Sequence, residues 1–105
     1  MKLDLPQLER VANLFRAFAE STRLSILQEL KSGELSVSEI VGRLTTSQAN
    51  VSKQLKLLHD AGLVIRRKQG TQVLYQIADP MVFELCSLVC DKLNRDAMKP
   101  AKLKF

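Results

Sequence analysis

The segment SQANVSKQLKLLHDAGLVIRRKQGTQVLYQI, from Ser47 to Ile77, decides the fold of this chain. Its first half is an amphipathic helix pattern, in which Val51, Leu55 and Leu58 recur at helical spacing and are expected to face a core. The Ser47 hydroxyl can accept a hydrogen bond from a backbone N–H that the first turn of a helix leaves unpaired. Two short strand-like runs follow. The order predicts a helix and then a β-hairpin.

The hairpin is predicted from composition and from glycine positions. Residues 63–67 and 73–77 have strand-like composition, with a turn around Gln69-Gly70-Thr71 and a tight turn before them at Gly62. In the second run, Val73, Tyr75 and Ile77 are expected on one face and Leu74 on the other.

A second short helix is predicted immediately before Ser47. In SVSEIVGRL, Ser36 and Glu39 have the spacing of a capping box, in which each side chain bonds the backbone of the other residue. Thr45 and Thr46 link this helix to the one at Ser47. Two short helices joined by such a turn predict a helix-turn-helix, and the hairpin would be its wing.

Three further helices complete the prediction, which is a mainly α fold of five helices and a two-stranded wing. The first runs over 6–19, the second starts with Ser21 or Glu20 as its cap, and the last covers 81–96 after Asp79-Pro80. The last helix is apolar enough to need a cover, and the simplest cover is a second copy of the chain. The predicted dimer interface, through the first and last helices, consists of Leu8, Val11, Phe15, Val82, Leu85, Cys86, Val89 and Leu93.

Length and composition limit the class of protein. The 105 residues suit one domain, expected over 1–98, with a basic and mobile tail over 99–105. The sequence shows neither a signal peptide nor an apolar run of membrane-spanning length, so we expect a cytoplasmic protein. We expect no enzyme, because the sequence has no phosphate-binding glycine loop and no nucleophile–base pattern.

The net charge of +5 is concentrated in the segment quoted first. Residues 43–78 carry six cations and one anion, whereas residues 1–42 carry five cations and six anions. A basic surface on a helix and a hairpin is typical of a protein that binds double-stranded DNA. The residues expected to contact DNA are Ser47, Gln48, Ala49, Asn50, Ser52, Lys53, Lys56, Arg66, Arg67, Lys68, Gln69 and Gly70. The alternative is a winged-helix module that binds a protein partner.

Four segments resemble the ArsR/SmtB family of bacterial winged-helix repressors. They are FRAFAESTRLSILQEL, ELSVSEI, SQANVSKQLKLLHDAGLV and RRKQGTQVLYQI. The resemblance implies a homodimer that binds a pseudo-palindromic operator and leaves it when an inducer binds. It assigns Gln48, Ala49, Ser52 and Lys53 to bases, Lys56 to the phosphate backbone and residues 66–70 to the wing. Lys53 stands where many relatives have histidine or arginine, so its base preference is expected to differ.

The resemblance also shows that two common sensing sites are missing. The family's thiolate site uses ELCVC, and this chain has Ser36 and Ser38 in place of both cysteines; serine hydroxyls do not replace thiolates for soft ions. The family's zinc-type site pairs Asp-x-His near the start of the last helix with His-x-x-His or His-x-x-Glu from the partner. Here the first half reads Asp79-Pro80-Met81 and the second falls near Lys92 and Arg95, so only Asp79 is present. The cofactor, if there is one, is therefore unknown from the sequence.

Two cysteines and one histidine remain as candidates for sensing. Cys86 and Cys90 are four residues apart, on neighbouring turns of one helix. They can bind a thiophilic metal, respond to oxidants or sulfur species, or simply pack as small apolar residues. His59 is expected to be a surface residue rather than a metal ligand.

Overall fold

The computed structural model describes residues 1–99 and 102–105. Across these residues the chain forms five α-helices and a small antiparallel sheet, with one turn of 3₁₀-helix at Leu30–Ser32 after the second helix. The elements are α1 Leu5–Phe18, α2 Ser21–Glu29, β1 Leu35–Ser36, α3 Val37–Arg43, α4 Gln48–Asp60, β2 Val64–Gln69, β3 Gln72–Ile77 and α5 Met81–Asp96.

The helix starts follow local capping chemistry. Ser47 accepts a hydrogen bond from the Asn50 backbone N–H at 3.1 Å, and Ser36 and Glu39 form the reciprocal capping box of α3. Glu20, one of the two predicted caps, accepts from the Arg23 backbone and starts α2. These predictions are confirmed. They could be made from the sequence because each cap depends only on residues within one helical turn.

The cap of α1 was missed. Asp4 and Gln7 form a second capping box, so α1 begins at Leu5 and Pro6 lies in its first turn. At the other end of the chain, Asp79 accepts from the Met81 backbone N–H at 2.9 Å, which confirms its capping role. The helix α5 covers Met81–Asp96, as predicted, and Pro80 just before it has helical backbone angles.

The sheet has three strands, not two. Its order is β1-β3-β2, all antiparallel, and Leu35 and Ser36 pair with Tyr75 and Leu74 of β3. The predicted two-stranded wing is confirmed as the β2–β3 hairpin. The third strand, β1, was not predicted, because a two-residue strand is too short to show an alternating pattern. As the central strand, β3 is covered on both edges, and Leu74 is buried although the pattern placed it on the outer face.

Two glycines allow the backbone to reverse around this unit. Gly62, just after α4, has φ +76°, and Gly70, in the hairpin turn, has φ +63°. Side chains with a Cβ atom adopt this left-handed region at an energetic cost, whereas glycine does not. The two turns therefore need glycine for their backbone conformation.

The core lies where α2, α3 and α4 pack together beneath the sheet. Val51, Leu55 and Leu58 are fully buried there, as their spacing predicts. Val82 and Cys86 of α5 also belong to this core. Burying such apolar side chains contributes about 1.5–3 kcal/mol each relative to leaving them exposed.

The C-terminal residues contact the domain. The Asn94 side chain exchanges two hydrogen bonds with the Leu103 backbone, at 2.8 and 2.9 Å, and Lys31 Nζ donates to the Phe105 carbonyl at 2.6 Å. The Phe105 side chain packs against the core. Residues 103 and 105, in the segment expected to be a mobile tail, thus have hydrogen-bonding partners 9 and 74 positions away in the sequence. Positions 100 and 101 of that predicted tail lie outside the described residues.

Candidate nucleic-acid interface

The helix α4 has one buried and one exposed side. Its buried side carries the apolar residues of the core, and Gln48, Ala49, Ser52 and Lys53 are all exposed on the rest of the surface. Small, amide, hydroxyl and cationic side chains near a helix N-terminus can reach base edges in a major groove. Ser47 is exposed as well, but its side chain is already used as the helix cap.

Asn50 differs from its neighbours on α4. It is half-buried, its amide nitrogen donates to Thr46 Oγ1 at 2.9 Å, and its amide oxygen accepts from Gln54 Nε2 at 3.0 Å. The sequence pattern placed Asn50 with the DNA-contacting residues. In the structure its amide group is engaged inside the chain instead.

Gln54 is the polar member of the buried side of α4. Its side chain is 6% exposed and accepts a hydrogen bond from Arg23 Nη1 at 2.7 Å. Sequence reasoning missed Arg23 and Gln54, although one signal was available. Gln54 stands three residues after Val51 and four before Leu58, in a position where the helical spacing expects an apolar side chain.

Lys53 and Lys56 differ in their surroundings. Within the described part of the chain Lys53 forms no salt bridge, whereas Lys56 Nζ lies 3.1 Å from Asp60 Oδ2 on the next turn. The hydrogen bond from Lys56 lowers the pKa of Asp60. Both members of this pair are mostly exposed, so the pair is a weak one that a phosphate can replace. His59 is half-buried, with Nδ1 3.9 Å from Asp60 Oδ1.

The wing carries its cations unequally. Arg66, Lys68, Gln69 and Gly70 are exposed, as expected for residues that face a ligand. Arg67 is exposed as well, but it donates two hydrogen bonds to the Glu34 carboxylate, at 2.8 and 2.7 Å, and a third to Gln69 Oε1. The bond to Arg67 lowers the pKa of Glu34. The charge of Arg67 is thus neutralised within the chain, and Glu34 is a residue that the sequence pattern did not identify.

The first and last helices present an apolar surface. Leu8, Val11, Phe15, Val89 and Leu93 are between 43% and 55% exposed. Val82 and Cys86, predicted for the same interface, lie in the core of the single chain, and Leu85 is half-buried. We call the five exposed residues the α1/α5 face.

The two cysteines line one apolar cavity of about 390 Å³, together with Phe18, Leu24 and Phe105. Cys86 is buried and Cys90 is half-buried; both are free thiols. Burial raises the pKa of the Cys86 thiol, and the neighbouring Cys90 adds to this rise. Burial and this rise make the Cys86 thiol less reactive than an exposed thiol.

Two positions that hold metal ligands in the family's sensing sites have structural roles in this chain. Ser36 caps α3 and Asp79 caps α5, so both side chains are already hydrogen-bonded. Among residues 1–99 and 102–105, no three His, Cys, Asp or Glu side chains are grouped closely enough to hold a metal ion. In the same residues, no helix has the length and apolarity needed to cross a membrane.

Comparison with known proteins places the chain in a family. Residues 20–66 match the family described as "Bacterial regulatory protein, arsR family". The chain is similar to an uncharacterised HTH-type transcriptional regulator of Methanocaldococcus jannaschii, with 40% identity over 77% of this chain and 92% of that protein. It is also similar to a transcriptional repressor SmtB homolog of Synechocystis, with 34% identity over 88% of this chain and 70% of the relative.

A solved structure agrees with this relationship. The homodimeric winged helix-turn-helix DNA-binding domain of a Mycobacterium bovis protein superposes with a TM-score of 0.74 and 32% identity, over 88% of each chain. The chain belongs to the ArsR family of bacterial regulatory proteins, and it is a DNA-binding transcriptional regulator with a winged helix-turn-helix fold.

Proposed function

We propose that the chain is a homodimeric repressor, which binds a pseudo-palindromic DNA operator and leaves it on an inducing signal. The observation that carries this proposal is the two-sided helix α4. Its apolar side is fully buried, so its exposed polar side is held in a fixed orientation, next to a basic wing. The relatives named as transcriptional regulator and repressor support the same role.

The α1/α5 face supports the homodimer. Five large apolar side chains at least 43% exposed on two neighbouring helices are unusual on the surface of a monomer and typical of a subunit interface. The similar M. bovis domain is homodimeric. A two-fold axis through this face would place the two α4 helices in successive major grooves, about 34 Å apart.

We assign base contacts to Gln48, Ser52 and Lys53. Replacing Gln48 with alanine is expected to cost about 1–3 kcal/mol on the operator if it removes a bidentate bond to a base, and much less on random DNA. The assay is fluorescence anisotropy with the protein's own upstream DNA and a random duplex of equal length. Equal losses on both duplexes would exclude this assignment for Gln48.

Phosphate contacts are assigned to Lys56, Arg66 and Lys68. Lys56→Ala should weaken binding to every duplex and lower the slope of log K against log salt by about 0.9 for each phosphate that is no longer neutralised. Lys92→Ala is a matched control, because Lys92 also pairs with an aspartate four residues later on an exposed helix surface. An equal change of slope in both variants would indicate a general charge effect.

The dimer is tested by inserting a charge. Val89→Glu on the α1/α5 face is expected to give a monomer in sedimentation analysis and to lose operator affinity. Leu57→Glu, which alters a similarly exposed apolar residue on α4, is the control and should remain a dimer. A dimeric Val89→Glu variant would show that another surface joins the subunits.

The rival function is a winged-helix module that binds a protein. It would show no affinity for DNA at moderate salt, so the anisotropy assay separates the two. We propose no enzymatic activity, and we place the action of this regulator on the chromosome in the cytoplasm. Imaging of a fluorescent fusion against a DNA stain would test this location.

We propose Cys86 and Cys90 as the site of the inducing signal. Both side chains line one apolar cavity, so a reagent that enters the cavity can reach both thiols. Because Cys86 is buried and its pKa is raised, Cys90 is the thiol expected to react first. Operator release by thiophilic metals and by oxidants should be lost in the variant with both cysteines changed to serine. Normal release of that variant would assign both thiols to packing.

A further inference from the structure

Arg23 joins the end of α1 to the start of α2 and then to α4. Its Nε donates to the Ala17 carbonyl and its Nη2 to the Arg16 carbonyl, both at 2.8 Å. These carbonyls belong to the last turn of α1, and the Arg16 carbonyl also accepts from the Ala19 backbone N–H at 3.1 Å. The third nitrogen, Nη1, donates to Gln54 Oε1 at 2.7 Å. One planar guanidinium therefore ties α1 to the buried side of α4.

The hydrogen bonds continue along α4 in one direction. Gln54 Nε2 donates to Asn50 Oδ1 at 3.0 Å, and Asn50 Nδ2 donates to Thr46 Oγ1 at 2.9 Å. Arginine has donors only, so the Gln54 oxygen must face Arg23 and its nitrogen must face Asn50. The same reasoning then orients Asn50 toward Thr46. We call this series of hydrogen bonds, from Arg23 through Gln54 and Asn50 to Thr46, the relay. Each of its bonds is donated in the same direction along the series.

The position of this relay matters for binding. It starts at α1, which carries part of the α1/α5 face. It ends at Asn50 in the first turn of α4 and at Thr46 in the loop before it, close in sequence to Gln48 and Ser52. Gln54 is nearly fully buried, so a shift of α4 along α1 would leave buried polar groups unpaired, which is costly.

We propose that Arg23, Gln54 and Asn50 are positioning residues that hold α4 at a defined place relative to α1. In the dimer this sets the separation of the two α4 helices, and with it the half-site spacing that the protein accepts. The inference rests on the proposed function. It assigns Asn50 to this relay rather than to a base.

The test uses operators with altered spacing. The duplex protected by the wild-type dimer in footprinting is compared with one that has a single base pair inserted at its centre. Wild type is expected to bind the native spacing roughly tenfold or more tightly than the altered one. The inserted base pair changes the distance between the half-sites, so the two α4 helices cannot both contact their bases well. Gln54→Leu, which cuts the relay at a buried position, is expected to reduce this preference to within about threefold.

Gln54→Glu is the conservative variant. Its carboxylate still accepts from Arg23, and Asn50 can rotate its amide so that it donates to Glu and accepts from the Thr46 hydroxyl. The connection is kept, so the spacing preference should be rescued. The salt slope should stay unchanged in both variants, because neither removes a phosphate contact.

The outcomes are separable. A Gln54→Leu dimer that keeps the wild-type spacing preference would overturn the relay, and so would a Gln54→Glu variant that loses it. If Gln54→Leu fails to fold, Thr46→Val cuts the far end of the relay and must show the same loss. Failure of the wild-type protein to bind as a dimer would instead contradict the proposed function.

Discussion

Arg67 and Glu34 form a two-point ion pair between the wing and the segment that leads into β1. The Nε–Oε2 and Nη2–Oε1 distances are 2.8 and 2.7 Å, across 33 positions of sequence. Paired guanidinium and carboxylate groups hold one geometry better than a lysine pair would. The pair therefore joins β2 to the loop before β1 and distinguishes Arg67 from Arg66 and Lys68, which form no salt bridge with the described residues.

The ion pair predicts different salt dependence for two adjacent arginines. Arg66→Ala should lower the salt slope by about 0.9 for each phosphate that is no longer neutralised, because Arg66 is exposed. Arg67→Ala should change the slope much less, because Glu34 already neutralises it. Titration of DNA binding across a series of salt concentrations gives both slopes. A larger change for Arg67 would mean that the ion pair opens on DNA.

The same pair predicts a dependence of stability on pH. The Arg67 hydrogen bond lowers the pKa of Glu34 in the folded protein below its ordinary value of 4.5. A lowered folded pKa adds stability above pH 4.5, and this stability is lost as the pH falls through the folded pKa. Wild type should therefore exceed Glu34→Gln in free energy of unfolding at neutral pH, and the difference should shrink below pH 4.5.

Urea titrations at several pH values measure that difference. Glu9→Gln is the control, because Glu9 is exposed and forms no ion pair with the described residues. A difference for Glu34→Gln that does not change with pH would mean that the shape of Glu34 matters and its charge does not.

Two glycine substitutions should act in opposite directions. Gly62→Ala is expected to lower the free energy of unfolding by about 1–2 kcal/mol, because a side chain at φ +76° is strained. Gly42→Ala, inside α3, is expected to raise it by about 0.5–1 kcal/mol. A Cβ atom added at either position would meet no neighbouring side chain or distant backbone within 4 Å. The two substitutions therefore differ only in the backbone conformation of the site. Denaturant unfolding measures both, and a stabilised Gly62→Ala variant would contradict the strain argument.

The two thiols should differ in reactivity. An alkylating reagent near neutral pH is expected to label Cys90 before Cys86, because Cys86 is only 6% exposed and its pKa is raised. Mass spectrometry of timed samples measures the order, and labelling in urea should remove the difference. Faster labelling of Cys86 would show that the cavity opens readily.

Cys86→Ser should also cost about 1–3 kcal/mol of stability, since its hydroxyl is buried among apolar side chains.

The sequence by itself determined the family, the helix-turn-helix and most helix starts. The caps at Ser36 and Ser47 join residues three apart, and the buried stripe of α4 repeats within one helix, so neither needs knowledge of the rest of the chain. The exposed positions proposed for base contacts follow from the same stripe, because they are the side of the helix that the apolar residues leave free.

Only the tertiary structure decided which polar side chains are hydrogen-bonded to distant parts of the chain. Arg67 matched the pattern of DNA contacts, yet Glu34 engages it across 33 positions of sequence, and Arg23 meets Gln54 across 31 positions. The short strand β1 and the docking of Phe105 likewise depend on partners far along the chain. Local patterns record the periodicity of one element, whereas a hydrogen bond between elements exists only after they pack.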